Sequence, residues 1–110
     1  MTPVAFYSSA QGREPVREWL KTLDPDDRKA IGKHILAAQR RWPVGVPLCR
    51  PLRRGLWEIR VPLPSHKIAR IVFCLYRGMM MLLHGFIKKT ATTPISDIEL
   101  ALKRQKEIGS

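Results

Sequence analysis

Two apolar, β-prone runs separated by a two-residue turn restrict the fold more than any other feature of the chain. The first run is IARIVFCLY, residues 68–76, and the second is MMMLLHGF, residues 79–86. Arg77 and Gly78 lie between them, and a two-residue loop that ends in glycine is typical of a β-hairpin. The sequence therefore predicts a pair of long antiparallel strands.

The turn also predicts a register for this hairpin. If Tyr76 pairs with Met79, counting back along both strands places Arg70 opposite Gly85. A glycine at that position removes the side chain that would crowd the arginine. We therefore expect Arg70 to have open space beside it on the sheet.

The remaining segments complete an α+β pattern. Residues 4–7 and 56–61 are typical of strands, whereas residues 14–23, 24–43 and 95–108 carry apolar side chains at helical spacing. The order β-α-α-β-β-β-α predicts an antiparallel sheet of about four strands, with two N-terminal helices and a C-terminal helix packed on one face. The chain length fits a single domain.

Helix boundaries are marked by capping residues and prolines. Asp24 is suited to the N-cap of the second helix, Pro25 to its first turn, and Pro43 ends it. Thr93 and Pro94 stand in the corresponding place before the last helix and are expected to cap it.

Basic residues are concentrated in the middle of the chain. The net charge is +11, with 20 Lys and Arg against 9 Asp and Glu. Residues 28–90 hold 14 of the basic groups and one carboxylate, Glu58, whereas residues 1–27 are net acidic. This excess favours a nucleic acid or an acidic protein as partner.

Four of the basic residues are expected to meet at one end of the sheet. Arg60 and Arg70 lie on either side of a short loop, and Lys88 and Lys89 leave the hairpin at the same end. An arginine inside an apolar strand needs an anion, because burying its charge unpaired is costly. The residues within possible reach of this place are His84, His66, Lys67 and Glu58.

Two interpretations of Arg70 follow from the charges. One is a structural Arg70–Glu58 ion pair without chemistry, and the other is a phosphate-binding cluster, which one carboxylate cannot neutralise. His84 has the same two interpretations, a hydrogen-bonded core residue or a catalytic group. Arg53 and Arg54, in a loop beside the cluster, are expected to follow an RNA backbone, and His66, Lys67 and Glu58 are also expected to contact RNA.

Several classes of protein are excluded. Cys49 and Cys74 are too few for a disulfide framework, so we expect two buried thiols, and the Cys and His spacing predicts no metal site and no cofactor. The longest apolar run is far shorter than a membrane span, and we expect no signal peptide, because the first residues lack a basic region followed by an apolar stretch. We expect a cytoplasmic protein that contacts no membrane.

The segments GLWEIRV, ARIVF, MMMLLHGFIKKTATTP and DIELALKR resemble the RelE/ParE toxin superfamily, specifically its HigB-like, phage-related branch. The resemblance covers nearly all of residues 1–110. It implies a RelE-like domain that is a ribosome-dependent mRNA interferase, a metal-independent endoribonuclease of type II toxin–antitoxin systems. It also implies as partners mRNA, the ribosome and a cognate HigA-like helix-turn-helix antitoxin that neutralises the toxin.

The resemblance places the family's catalytic basic residues at Arg60, at Arg70 and at Lys88 with Lys89. Many RelE-like nucleases have a C-terminal tyrosine as base or stacking group, and residues 90–110 contain none. The general base therefore stays open among His84, Glu58 and a lysine.

Two other functions remain as alternatives. ParE-like members of the superfamily poison DNA gyrase and cut no RNA. A non-catalytic nucleic-acid-binding module explains the charge. It does not explain arginines inside strands.

Overall fold

A computed structural model of the protein describes residues 1–88 and 91–109. The elements follow the predicted order with one addition, a short strand before the LWEIRV strand. They are β1 (Val4–Phe6), α1 (Pro15–Lys21), α2 (Pro25–Arg41), β2 (Cys49–Pro51), β3 (Leu56–Pro62), β4 (Ile68–Tyr76), β5 (Met79–Lys88) and α3 (Ile95–Ile108). The α+β class, the two N-terminal helices and the C-terminal helix are confirmed.

Within the described residues, the strands form one five-stranded sheet in the order β1-β5-β4-β3-β2. β1 runs parallel to β5, and the other neighbours are antiparallel. The sheet is therefore mixed and has one strand more than expected. β2 was missed because it is only three residues long and contains Pro51, and the direction of β1 depends on a partner more than seventy residues away.

Helices cover both faces of the sheet, so the expectation that all of them pack on one face was wrong. The two N-terminal helices bury Val16, Ile31 and Ile35 against one face. The C-terminal helix buries Ile98 and Ala101 against the other. The physical reason is that β4 carries apolar residues on both faces, as expected for a central strand covered twice.

The hairpin register changes at a β-bulge. Tyr76 pairs with Met79 as predicted, but a register shift between Val72 and Phe73 moves every later pair by one residue. Beyond the shift, Val72 therefore pairs with His84, Ile71 with Gly85 and Arg70 with Phe86. The predicted pairing of Arg70 with Gly85 was wrong.

Gly85 has a different role from the one expected. A Cβ at this position would lie 2.4 Å from the Trp19 ring, so glycine allows α1 to approach β5 closely. The space beside Gly85 is thus filled by Trp19 of α1, on the opposite face of the sheet from Arg70. Sequence spacing alone does not show the contact between Gly85 and Trp19.

Other local predictions are confirmed. Asp24 is the N-cap residue of α2 and Pro25 its first residue, while Arg77 and Gly78 both have positive φ, as a type I′ hairpin turn requires. Cys49 and Cys74 are buried free thiols, and burial raises the pKa of Cys49 to about 11.

Candidate functional site

A cavity of about 240 Å³ lies at the end of the sheet where β3 ends and β4 begins. Three of its residues come from these two strands and the rest from β2 and the loop before it. Its lining residues are Val46, Pro47, Arg50, Glu58, Arg60 and Arg70. The C-terminal helix packs on the same face nearer the hairpin turn, so this end of the face is left to the charged side chains.

Arg60 and Arg70 lie directly opposite each other in the antiparallel pair formed by β3 and β4. The predicted meeting of these two residues at one sheet end is thus present. Like charges at directly opposed positions destabilise a sheet. The pair is therefore a cost to the fold, and an anion bound between the two guanidinium groups would relieve it.

Glu58 supplies an anion to Arg70 from within the protein. Its carboxylate oxygen Oε1 accepts a hydrogen bond from Nη1 of Arg70, and the two side chains are only 0% and 6% exposed. The predicted Arg70–Glu58 ion pair is therefore present. The other oxygen, Oε2, accepts a hydrogen bond from Oγ1 of Thr93 at 2.7 Å.

The ion pair does not satisfy all of Arg70. Its Nε atom is buried and has no hydrogen-bond partner in the part of the chain that the structure describes. A buried N–H of a charged group without an acceptor costs free energy. Because Arg70 lines the cavity, an oxygen of a bound anion would supply the missing acceptor.

Lys88 adds a further cation at this end of β5. Desolvation lowers its pKa, and Arg70, Arg50 and Arg60 lower it further, while Glu58 acts in the opposite direction. Its ammonium group donates a hydrogen bond to the carbonyl oxygen of Ala91 at 2.8 Å. Burial is therefore the main cause of the lowered pKa of Lys88, and the three arginines around the cavity add to it.

His84 lies next to the first turn of the C-terminal helix. Its Nε2 atom is 2.6 Å from Oδ1 of Asp97, and its ring stacks on Phe86 with centroids 5.3 Å apart. It is not among the described residues that line the cavity. His84 is therefore hydrogen-bonded, as one of its two interpretations predicted, and its partner is Asp97.

The predicted RNA-binding residues outside the strands do not line the cavity. Arg53 and Arg54 precede β3, so six or seven residues, about 20 Å of extended chain, separate them from Arg60. His66 and Lys67 are exposed in the β3–β4 loop, on the same side of the molecule as the cavity. Lys89, predicted with Lys88, lies outside the described residues.

Two contributions were missed from the sequence. Val46 and Pro47 form an apolar wall of the cavity, although their loop has no periodic pattern. Thr93 and Pro94 were expected to cap the last helix, and Pro94 is the N-cap residue of α3, without a side-chain cap. The hydroxyl of Thr93 contacts Glu58 instead.

A larger cavity of about 720 Å³ lies between α3 and the loop after β1. Its central polar groups bond to protein partners: Tyr7 donates to Glu107, and Arg104 donates to the carbonyl of Leu83 at 2.7 Å. It therefore lacks the buried, unpartnered charge that distinguishes the smaller cavity.

Among residues 1–88 and 91–109, no group of three His, Cys, Asp or Glu side chains is placed to hold a metal ion. No helix in the same residues is long and apolar enough to cross a membrane.

The α+β fold, with its cationic cavity at one sheet end, is consistent with a RelE-like toxin domain. Residues 18–106 match the family described as Phage derived protein Gp49-like (DUF891), and the chain belongs to this family of RelE-like toxins. The family is associated with toxin–antitoxin systems, which implies an antitoxin partner. No curated protein matches the chain.

Proposed function

We propose that the chain is a HigB-like toxin that cleaves mRNA on the ribosome without a metal ion. The observation that carries this proposal is the pair of opposed arginines that line the cavity. One of them is buried, and among the described residues its Nε has no partner and the cavity lining has a single carboxylate. A phosphate group of RNA fits this deficit of negative charge.

Arginine suits the recognition of a phosphodiester. The planar guanidinium offers two parallel N–H groups to phosphate oxygens and keeps its charge at any physiological pH. Arg60 is exposed at the cavity and Arg70 is buried in its wall, so the two can contact different oxygens of one phosphate. Both contacts would strengthen as the phosphorane forms and its negative charge grows.

The reaction that fits this arrangement is attack by the ribose 2′-oxygen on the adjacent phosphorus. A base removes the 2′-hydroxyl proton, the P–O5′ bond breaks, and an acid protonates the departing 5′-oxygen. The products are a 2′,3′-cyclic phosphate and a 5′-hydroxyl. No oxidant, reductant or cofactor is consumed, since one proton is removed and one is returned.

Lys88 is the described residue that best fits the base. Its lowered pKa makes the neutral amine more accessible near neutral pH than in an ordinary lysine. Glu58 is fully buried with both oxygens bonded, so we assign it an indirect role through Arg70. His84 and Lys89 remain predicted catalytic residues.

The exposed cations away from the cavity would contact RNA or the ribosome at other phosphates. Arg53 and Arg54 would act at the far end of β3, and His66 and Lys67 beside the cavity. A HigA-like helix-turn-helix antitoxin would neutralise the toxin, as the resemblance implies.

Arg60→Ala tests the proposal. We expect this variant to cleave mRNA on translating ribosomes about 100-fold more slowly, because one contact to the transition-state phosphate is lost. Arg77→Ala, in the hairpin turn at the opposite sheet end, is the matched control and should retain the wild-type rate. Primer extension on the mRNA provides the measurement.

The same assay distinguishes the other functions. Breaks in gyrase-bound DNA with intact mRNA would replace the proposal with gyrase poisoning, and RNA binding without any cleavage would replace it with a binding module. An unchanged rate in Arg60→Ala would remove this arginine from the reaction.

A further inference from the structure

Thr93 connects the segment after β5 to the buried ion pair. It is half-buried just before the C-terminal helix, and its hydroxyl donates to Oε2 of Glu58 at 2.7 Å. A threonine at this place is suited to helix capping. Because α3 has Pro94 as its N-cap and no side-chain cap, the hydroxyl serves the carboxylate instead.

Glu58 is held at both oxygens by two different parts of the chain. Oε1 accepts from Arg70 on the neighbouring strand, and Oε2 accepts from Thr93. The carboxylate is fully buried, so no water can replace a lost donor without rearrangement. Removing the threonine hydroxyl would leave one buried oxygen unpaired, which favours rotation of the carboxylate.

The orientation of Glu58 determines which edge of Arg70 is available. The carboxylate holds Nη1, and the guanidinium is planar, so fixing Nη1 also fixes the direction of Nε. Nε is the buried atom of this cavity-lining side chain for which the described residues provide no hydrogen-bond partner. A rotated carboxylate would turn the guanidinium and move Nε away from this direction.

We propose that Thr93 is a positioning residue: through Glu58 it holds Arg70 with Nε available to the RNA phosphate. The effect of the relay Thr93–Glu58–Arg70 on catalysis rests on the proposed function. The two hydrogen bonds that form the relay do not depend on that function. It also links the segment that follows Lys88 to the arginine that lines the cavity.

Two variants of Thr93 separate the hydroxyl donor from the size of the side chain. Thr93→Val keeps the size and removes the donor, and Thr93→Ser keeps the donor. We expect Thr93→Val to lower kcat for mRNA cleavage by about 10- to 100-fold with little change in KM, because the binding surface remains but the phosphate contact is misplaced. Thr93→Ser should restore most of kcat.

A second readout does not depend on RNA. The Nε–H signal of Arg70 in a ¹⁵N NMR spectrum, assigned by its absence in Arg70→Lys, should shift in Thr93→Val and exchange with solvent about tenfold faster. In Thr93→Ser it should resemble the wild type. Thr22→Val, at the end of α1, is the threonine control, and Thr93→Ala replaces Thr93→Val if the valine variant does not fold.

The outcomes separate this proposal from the proposed function. Unchanged Nε–H exchange and unchanged kcat in Thr93→Val would overturn the relay, and so would altered exchange with wild-type kcat. If wild-type protein leaves mRNA intact while the Arg70 signal responds to Thr93, the relay is supported and the nuclease proposal is wrong.

Discussion

Replacing Arg70 by lysine is expected to reduce mRNA cleavage by about 100-fold while the protein stays folded. A lysine keeps the positive charge beside Glu58, so the buried carboxylate retains a partner. A single ammonium group cannot hold Glu58 and also present a second, fixed donor to the phosphate. The loss would therefore report the geometry of the guanidinium and not its charge.

The matched control is Arg77→Lys in the β4–β5 turn, where the arginine is exposed and stacks on the Tyr76 ring. Its cleavage rate should equal that of the wild type. Circular dichroism and the urea midpoint establish that Arg70→Lys is folded. Wild-type cleavage by Arg70→Lys would show that a point charge suffices and that the unpartnered Nε has no part in the reaction.

The second large effect is on stability. Glu58→Leu and Arg70→Met, made singly, are each expected to destabilise the protein by about 3–5 kcal/mol, because each leaves one buried charge without its partner. The double variant replaces the pair by apolar groups of similar volume, and its stability should return to within about 2 kcal/mol of the wild type. Urea unfolding of the four proteins measures the coupling.

The exposed pair of Arg13 and Glu18 provides the control cycle, and its coupling should be much smaller because solvent screens both charges. Additive effects of the two buried substitutions would contradict the account of Glu58 as the counter-ion of Arg70. The double variant should also be inactive on mRNA, because it lacks the arginine that contacts the phosphate. This result would separate the effect of the ion pair on stability from its role in cleavage.

Local sequence signals were sufficient for much of the fold. Arg77 and Gly78 predicted the hairpin turn because a two-residue loop that ends in glycine between two β-prone runs is typical of a hairpin, and both residues have the positive φ of such a turn. The meeting of Arg60 and Arg70 followed from strand direction alone, since two strands joined by a short loop bring the flanking residues together.

Predictions that depended on distant contacts were less successful. The bulge between Val72 and Phe73 has no marker in the sequence, and it changed the partners of Arg70 and Gly85. The space for Gly85 is set by Trp19, more than sixty residues earlier. Contacts of this kind are determined by packing across the sheet, which period and turn signals do not encode.

In the candidate site, too, some contacts were predicted from the sequence and others were not. The charge pattern identified Glu58 as the counter-ion available to Arg70, because no other carboxylate occurs between residues 28 and 90. The role of Thr93 was not predicted, since a threonine before a helix has a more common use as a cap. The contact between Thr93 and Glu58 thus departs from the usual role of a threonine before a helix, and it is the most informative polar contact of the site.

The chemistry of the cut RNA ends tests the central claim most directly. Wild-type protein is incubated with mRNA on translating ribosomes, and the fragments are analysed for their terminal groups. We expect a 2′,3′-cyclic phosphate on the upstream fragment and a 5′-hydroxyl on the downstream one, with no cleavage where the ribose at the cut site is 2′-deoxy. Fragments ending in a 3′-hydroxyl and a 5′-phosphate, or mRNA left intact, would contradict the account.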